Sequence, residues 1–178
     1  RNGTLTPCDV TARGDRVVWW QCRKDAEHEW QSSIGNRTRL ERGCPFCAGQ
    51  KVPRSRSLGA LRPELALQWD NEKNAPLTPF DVGLSSGLSV FWRCPRGPDH
   101  EWQVRVYVRT KPGSAGCPFC SGHRVCKDNC LATRFPRIAR EWHPARNGAM
   151  TPGTVTWGSS KRVWWRCHHR WCRRQRCR

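Results

Sequence analysis

The sequence predicts a small α+β fold: a row of repeats, each a β-hairpin followed by a cysteine knuckle, joined by short linking helices. Three observations predict it. First, the order Val17-Val18-Trp19-Trp20-Gln21-Cys22, His28-Glu29-Trp30, Cys44-Pro45-Phe46-Cys47 returns complete as Val90-Phe91-Trp92-Arg93-Cys94, His100-Glu101-Trp102, Cys117-Pro118-Phe119-Cys120. Second, hydrophobic residues make up only 37% of 178 residues, with eleven Trp, against about 45–50% in ordinary globular chains. Units without a large aliphatic core need a metal or disulfides to hold them. Third, there are twelve cysteines, enough to supply either.

Taken in order, Asn2-Gly-Thr-Leu-Thr-Pro-Cys-Asp-Val10 reads as a turn leading into an extended segment, punctuated by Asn, Gly and Pro. It recurs at Asn74, Leu77-Thr78-Pro79 and Asp81-Val82, an offset of 72, and again at Asn147 and Met150-Thr151-Pro152. Val17–Trp20 is β-branched and aromatic and reads as a strand. Alternation places Val18, Trp20 and Cys22 on one face and Trp19 and Gln21 on the other. Arg23–Glu27 is polar and reads as a turn; in the second copy it is Pro95-Arg-Gly-Pro-Asp99. A second strand carries His28 and Trp30.

Gly35–Gly43 is basic and reads as loop or a short helical turn, with Arg37, Arg39 and Arg42, and likewise Arg109 and Lys111, on a solvated face. Cys44–Cys47 forms a tight knuckle. Residues 51–57 are rich in Arg and Ser. Pro63–Trp69 reads as a short helix with Pro in its first turn, where the missing N–H is harmless, and Pro136–Trp142 is its counterpart. Two turns of helix do not stand alone, so Leu58, Leu61, Leu65 and Trp69 are expected to be buried against a neighbouring module. The predicted organisation is residues 1–52, first repeat; 53–125, linking helix and second repeat; 126–178, linking helix and incomplete third repeat with a basic tail.

The third copy begins at Val163-Trp164-Trp165-Arg166-Cys167 and then departs. By offset a His is due at 173 and a Trp at 175, where Arg173 and Gln175 stand. Residues 161–178 hold eight Lys and Arg and no acid. The chain starts with Arg rather than Met, and it reads as a fragment of a longer array with a truncated or frame-altered third copy.

Structural zinc takes four Cys or His ligands in tetrahedral geometry. One Cys-x-x-Cys knuckle brings two sulfurs to one ion, and the hairpin supplies the other pair. The ligand sets are Cys22, His28, Cys44 and Cys47, and Cys94, His100, Cys117 and Cys120, so two Zn2+ per chain are expected. Four candidate ligands repeated in one order are a far stronger signal than a lone Cys-x-x-Cys. A glutaredoxin-like redox reading needs a βαβ setting and a helix opening at the first Cys, and neither it nor disulfide pairing accounts for His28 and His100. Cys8, Cys126, Cys130, Cys172 and Cys177 lack the repeat and read as free thiols. Four protein ligands leave no open position on the metal, so no enzyme activity and no small-molecule substrate are expected. Zinc thiolates suit a reducing, intracellular compartment, and no stretch approaches the roughly 18 apolar residues of a membrane span.

The formal charge is +18, a footprint that suits DNA or RNA. Its distribution is uneven: nine Lys and Arg against six acids in residues 1–52, ten against six in 53–125, thirteen against two in 126–178. Trp20, Trp30, Trp92 and Trp102 share the ligand face and read as core. Trp19 and Phe91 lie opposite. They pack against the short helix or, flanked by Arg16, Arg93 and Arg105, form a platform on which bases stack.

Together, Asn…Leu-Thr-Pro-x-Asp-Val, Val-Trp-Trp-x-Cys, His-x-Trp, Gly-Cys-Pro-Phe-Cys-x-Gly and Leu…Pro-x-Leu-Ala-x-x-Trp resemble the treble-clef zinc finger (zinc-ribbon) domain family that occurs in tandem arrays. The resemblance covers the chain to Cys167 and implies zinc at the Cys, His, Cys, Cys positions named above. Some relatives are joined to endonuclease-like domains, which implies nucleic-acid binding by association. No nuclease carboxylate cluster is present in this sequence. The expectation is a non-enzymatic zinc-binding repeat protein that binds nucleic acid; the alternatives are a protein–protein interaction scaffold and, behind it, a Cys-x-x-Cys redox protein.

Overall fold

The computed structural model describes residues 1–166. Cys167 and residues 168–178, read from the sequence as an interrupted site and a basic tail, lie outside the described residues, as do Cys172 and Cys177. The described residues divide into two compact units, one of residues 1–90 and 105–110, the other of residues 91–104 and 111–166.

Each complete copy is a hairpin followed by a short helix. In the first, β1 (Val17–Gln21) pairs antiparallel with β2 (Glu29–Ser33), and Trp20 stands directly opposite Trp30. The Trp20 indole reaches across the hairpin, Nε1–H donating to the Ser32 carbonyl at 3.0 Å. Helix α1 (Ile34–Thr38) follows at once, because Ser33 accepts the Asn36 N–H and caps it. Such a cap contributes about 1 kcal/mol. In the second copy, β3 (Ser89–Arg93) pairs with β4 (Glu101–Arg105) and α4 (Val106–Thr110) follows. Trp92 repeats the indole bond, to the Val104 carbonyl at 3.1 Å.

The Leu-Thr-Pro-x-Asp-Val segment is a fold determinant. Thr6 N–H and Oγ1–H both donate to Asp9 Oδ2, at 2.8 and 2.6 Å, closing a 3-10 turn at Pro7–Asp9. Thr78 and Asp81 repeat it at the same distances. The third copy has Thr154 in place of the Asp, and the Thr151 N–H donates to its hydroxyl at 2.8 Å. Asn2 then clasps the backbone of Trp19: the Trp19 N–H donates to Asn2 Oδ1 at 2.8 Å and Asn2 Nδ2–H to the Trp19 carbonyl at 2.9 Å. Asn147 holds Trp164 identically, at 2.7 and 2.9 Å.

The sequence reads one linking helix where the structure has two. Leu58–Leu61 (α2) and Pro63–Ala66 (α3) meet at Arg62, whose φ of −140° and ψ of 64° are not helical. The cause is Pro63, which disfavours the α region for the residue before it. Leu131–Arg134 (α5) and Pro136–Ala139 (α6) break in the same way at Phe135, φ −136° and ψ 66°. The break turns Leu61 outward. Leu58, Leu65 and Trp69 are buried as expected, but Leu61 is 49% exposed, which corrects its assignment to the core.

Each helix pair seats on the start of the module that follows it. The Leu58 N–H donates to the Val82 carbonyl at 2.7 Å and the Gly59 N–H to the Pro79 carbonyl at 2.9 Å. Trp69 Nε1–H reaches the Leu77 carbonyl at 3.3 Å. Burying Leu58 completely contributes roughly 1.5–3 kcal/mol. Val82, Val90 and Val106 are core residues of the second copy, each at most 2% exposed, and Trp92 is fully buried. Among the described residues no helix is long and apolar enough to cross a membrane.

Candidate metal centres

The hairpin delivers the first two ligands. The Cys22 N–H donates to the His28 carbonyl at 3.0 Å, one step past the end of β1 and β2, so both side chains project from the same rung. The knuckle delivers the other two. In Cys44–Cys47 the chain folds back, with the Ala48 N–H on the Cys44 carbonyl and the Gly49 N–H on the Phe46 carbonyl, both at 3.0 Å. Gly49 has φ of 70°, and its counterpart Gly122 has φ of 77°, a left-handed conformation that explains why glycine ends both knuckles.

These elements bring Cys22, His28, Cys44 and Cys47 together, and likewise Cys94, His100, Cys117 and Cys120, the donor atoms of each set all within 4.8 Å of one another. Cys22 Sγ lies 3.7 Å from Cys47 Sγ, and His28 Nδ1 lies 3.7 Å from both Cys44 Sγ and Cys47 Sγ. In the second set the distances are 3.8 Å for Cys94–Cys120, 3.7 Å for His100 Nδ1 to Cys117 and 3.5 Å to Cys120. With Zn–S near 2.3 Å and Zn–N near 2.0–2.1 Å, the edges of a tetrahedron are about 3.8 Å between sulfurs and about 3.5 Å from sulfur to nitrogen. The two clusters fit two zinc ions, with Nδ1 as the imidazole donor.

Thiol protonation follows from the crowding. The Lys24 N–H, 3.4 Å from Cys22 Sγ, draws the Cys22 pKa down to about 7, while the adjacent Cys22 sulfur raises Cys47 to about 11. Burial, then Cys94 and Cys117, raises Cys120 to about 11. Three sulfurs this close do not all ionise without a cation between them.

The knuckle phenylalanines hold the imidazoles. Phe46 stacks on His28 with ring centroids 4.9 Å apart, and Phe119 on His100 at 5.2 Å. Repetition of Phe at the third knuckle position was the available signal, and sequence reasoning did not assign it this role. The outer imidazole nitrogens differ between modules. His28 Nε2 has Asp25 Oδ2 at 3.4 Å, off hydrogen-bonding geometry. His100 Nε2 has Cys126 Sγ at 3.2 Å. Gly97, at the position of Asp25, makes room for this arrangement, since a Cβ there would meet the His100 ring at 2.9 Å. Cys126 is free of disulfide but buried against a ligand, not an isolated thiol.

Of the tryptophans read as core, Trp30, Trp92 and Trp102 are buried, and Trp20 is half-buried. Trp19 is half-buried beneath the Arg1 guanidinium, 4.6 Å from its ring centroid. Phe91 is also half-buried, while Arg16, Arg93 and Arg105 are exposed. Arg93 pairs with Glu101 at 2.9 Å. Two of the residues placed on a solvated face are not there. Arg37 lies over the Trp20 and Trp30 rings, at 5.1 and 5.4 Å. Arg109 is 6% exposed, its Nη2 donating to Gln68 Oε1 at 2.7 Å. An amphipathic guanidinium covers apolar surface as readily as it faces water.

A family model described as a probable treble clef zinc finger domain matches residues 1–50, 65–123 and 138–178. No curated protein matches the chain.

Proposed function

The chain belongs to the family described as probable treble clef zinc finger domains, matched three times in tandem, and from that premise we propose that it is a non-enzymatic array that binds nucleic acid through the phosphate backbone. The observation that carries this reading is the placement of positive charge. Lys and Arg outnumber acids 32 to 14, and thirteen to two in residues 126–178. Some arginines are engaged: Arg1 with Glu29, Arg62 with Glu64 and Arg93 with Glu101, and Arg54 over the Phe80 ring. Arg16, Arg105, Arg124 and Lys127 are exposed. Phosphate contact is favoured over base stacking, since Trp19 carries Arg1 on its ring. Four protein ligands on each zinc leave no position for a substrate, hence the non-enzymatic reading.

The test is fluorescence anisotropy of the zinc-loaded protein with single- and double-stranded DNA and RNA. Binding through six or more phosphates falls by a factor of about 10³ or more between 50 and 200 mM salt. Absence of binding at low salt overturns the proposal.

A second reading, a protein-interaction scaffold, is favoured by the first module alone. Its charge is close to balanced, nine against six over residues 1–52, and it carries an apolar groove.

A further inference from the structure

That groove has a volume of about 460 Å3, and Leu5, Pro7, Val10, Val18, Trp20 and Ile34 are among its walls. In the second and third modules the corresponding surface is covered by a helix pair. On the second, Leu58, Gly59 and the Trp69 indole donate to the carbonyls of Val82, Pro79 and Leu77. On the third, Leu131, Ala132 and the Trp142 indole donate to the carbonyls of Val155, Pro152 and Met150, at 3.0, 2.9 and 3.1 Å. The first-module counterparts of these three acceptors are Val10, Pro7 and Leu5, all of them groove walls. Burial tells the same story. Val82, Val90 and Val155 are 2%, 2% and 6% exposed, whereas Val10 and Val18 are only half-buried.

We propose that the groove is the seat of a linker helix pair of the Ser57–Trp69 type, standing directly N-terminal to Asn2 as Ser57–Trp69 stands ahead of Asn74. The chain's two own pairs are seated on the modules that follow them, so the occupant is a further pair of the same chemistry: a Ser-Leu or Cys-Leu start, then Pro-x-Leu-Ala-x-x-Trp or Pro-x-Ile-Ala-x-x-Trp. The side-chain fit at one position is already sampled twice. Phe80 in the second seat leaves no room for a Cβ on Gly59, which would meet the ring at 2.7 Å. In the third seat Gly153 replaces the Phe and Ala132 replaces the Gly. The first seat has Cys8 at this position, which is smaller than Phe and accepts either. Thr38, also on the groove wall, is the counterpart of Thr110, whose carbonyl accepts from Arg62 Nη1 at 3.2 Å.

The test is a full chain lengthened before Arg1 by a copy of residues 57–72, read by amide hydrogen exchange. The appended counterparts of Leu58 and Gly59 are expected to exchange at least about a hundredfold more slowly than in the free 57–72 peptide, approaching the native pair. A graft carrying Leu58→Asp is expected to lose that protection, with both zinc ions retained. Free-peptide exchange rates in the unaltered graft, or equal protection in the Leu58→Asp graft, overturn the proposal. Neither outcome depends on nucleic-acid binding.

Discussion

His100 turns its outer nitrogen onto Cys126, Nε2 to Sγ at 3.2 Å. With zinc on Nδ1 the remaining imidazole proton sits on Nε2, which then donates to the sulfur. Such outer partners fix ring orientation and ligand basicity. The position of Cys126 in the first repeat is Pro53, so the first module lacks this contact. Cys126→Ala is expected to weaken zinc at the second site by about 10–100-fold and leave the first unchanged. Competition against a chromophoric chelator reads the two sites separately, and equal affinities before and after the change would sink this assignment.

Removing a ligand has a larger effect. Cys44→Ser is expected to reduce bound zinc from two ions to one. It should unfold the first module, because binding at finger-like sites supplies of order 10–16 kcal/mol. The second module keeps its own four ligands and its seated helices. Metal analysis together with the near-ultraviolet signal of the tryptophans checks this, and unchanged stoichiometry would refute the ligand set.

Zinc uptake should release protons. At pH 7.5 the Cys47 and Cys120 thiols, both raised to about 11, are protonated without metal and must ionise to bind it. Affinity therefore climbs with pH across the neutral range and continues to climb toward pH 11. Cys22, near 7, contributes to the slope only below neutrality. Calorimetric titration in buffers of different ionisation enthalpy counts the protons, and a pH-independent affinity between 6.5 and 9 would contradict the thiol assignments.

The start of the first linker is held by Glu27, which accepts the Ser55 N–H at 2.7 Å and the Ser55 hydroxyl. These bonds depress the carboxylate below its ordinary value of 4.5. A depressed carboxylate stabilises the fold while ionised, so the contribution is present above 4.5 and is lost as pH falls through the lower folded value. Glu27→Gln should flatten the acid limb in that window by slightly lowering the neutral-pH melt, the group being exposed, while the two proteins converge below the folded value. Parallel acid limbs for the two proteins would dismiss the anchor.

Hairpin, knuckle and ligand order were legible because they repeat in register, and a repeat constrains Cys22, His28, Cys44 and Cys47 together. What each side chain packs against was not. Cys126 read as a free thiol because its contact with His100 is formed 26 residues away in sequence and has no counterpart in the first copy, where Pro53 stands. Leu61 was expected in the core beside Leu58 and Leu65, but the linking helix read from the sequence starts at Pro63 and omits the separate Leu58–Leu61 turn, from whose end Leu61 faces outward. The guanidinium of Arg109 is polar by composition and buried by context: a hydrogen bond to Gln68 replaces water.

The linkers are tied at both ends, but unequally. Ser55 touches the preceding hairpin turn at one carboxylate, as does Lys127, whose N–H donates to Asp99 at 2.9 Å. The helices lie instead on the module ahead. The exchangeable cassette is thus the helix pair with the module after it, and the seam between cassettes falls just before Ser55 and Lys127. A duplication or a laboratory splice at that seam carries every seat along with its occupant. One placed after Trp69 would part them, leaving bare carbonyls on one side and a homeless helix pair on the other.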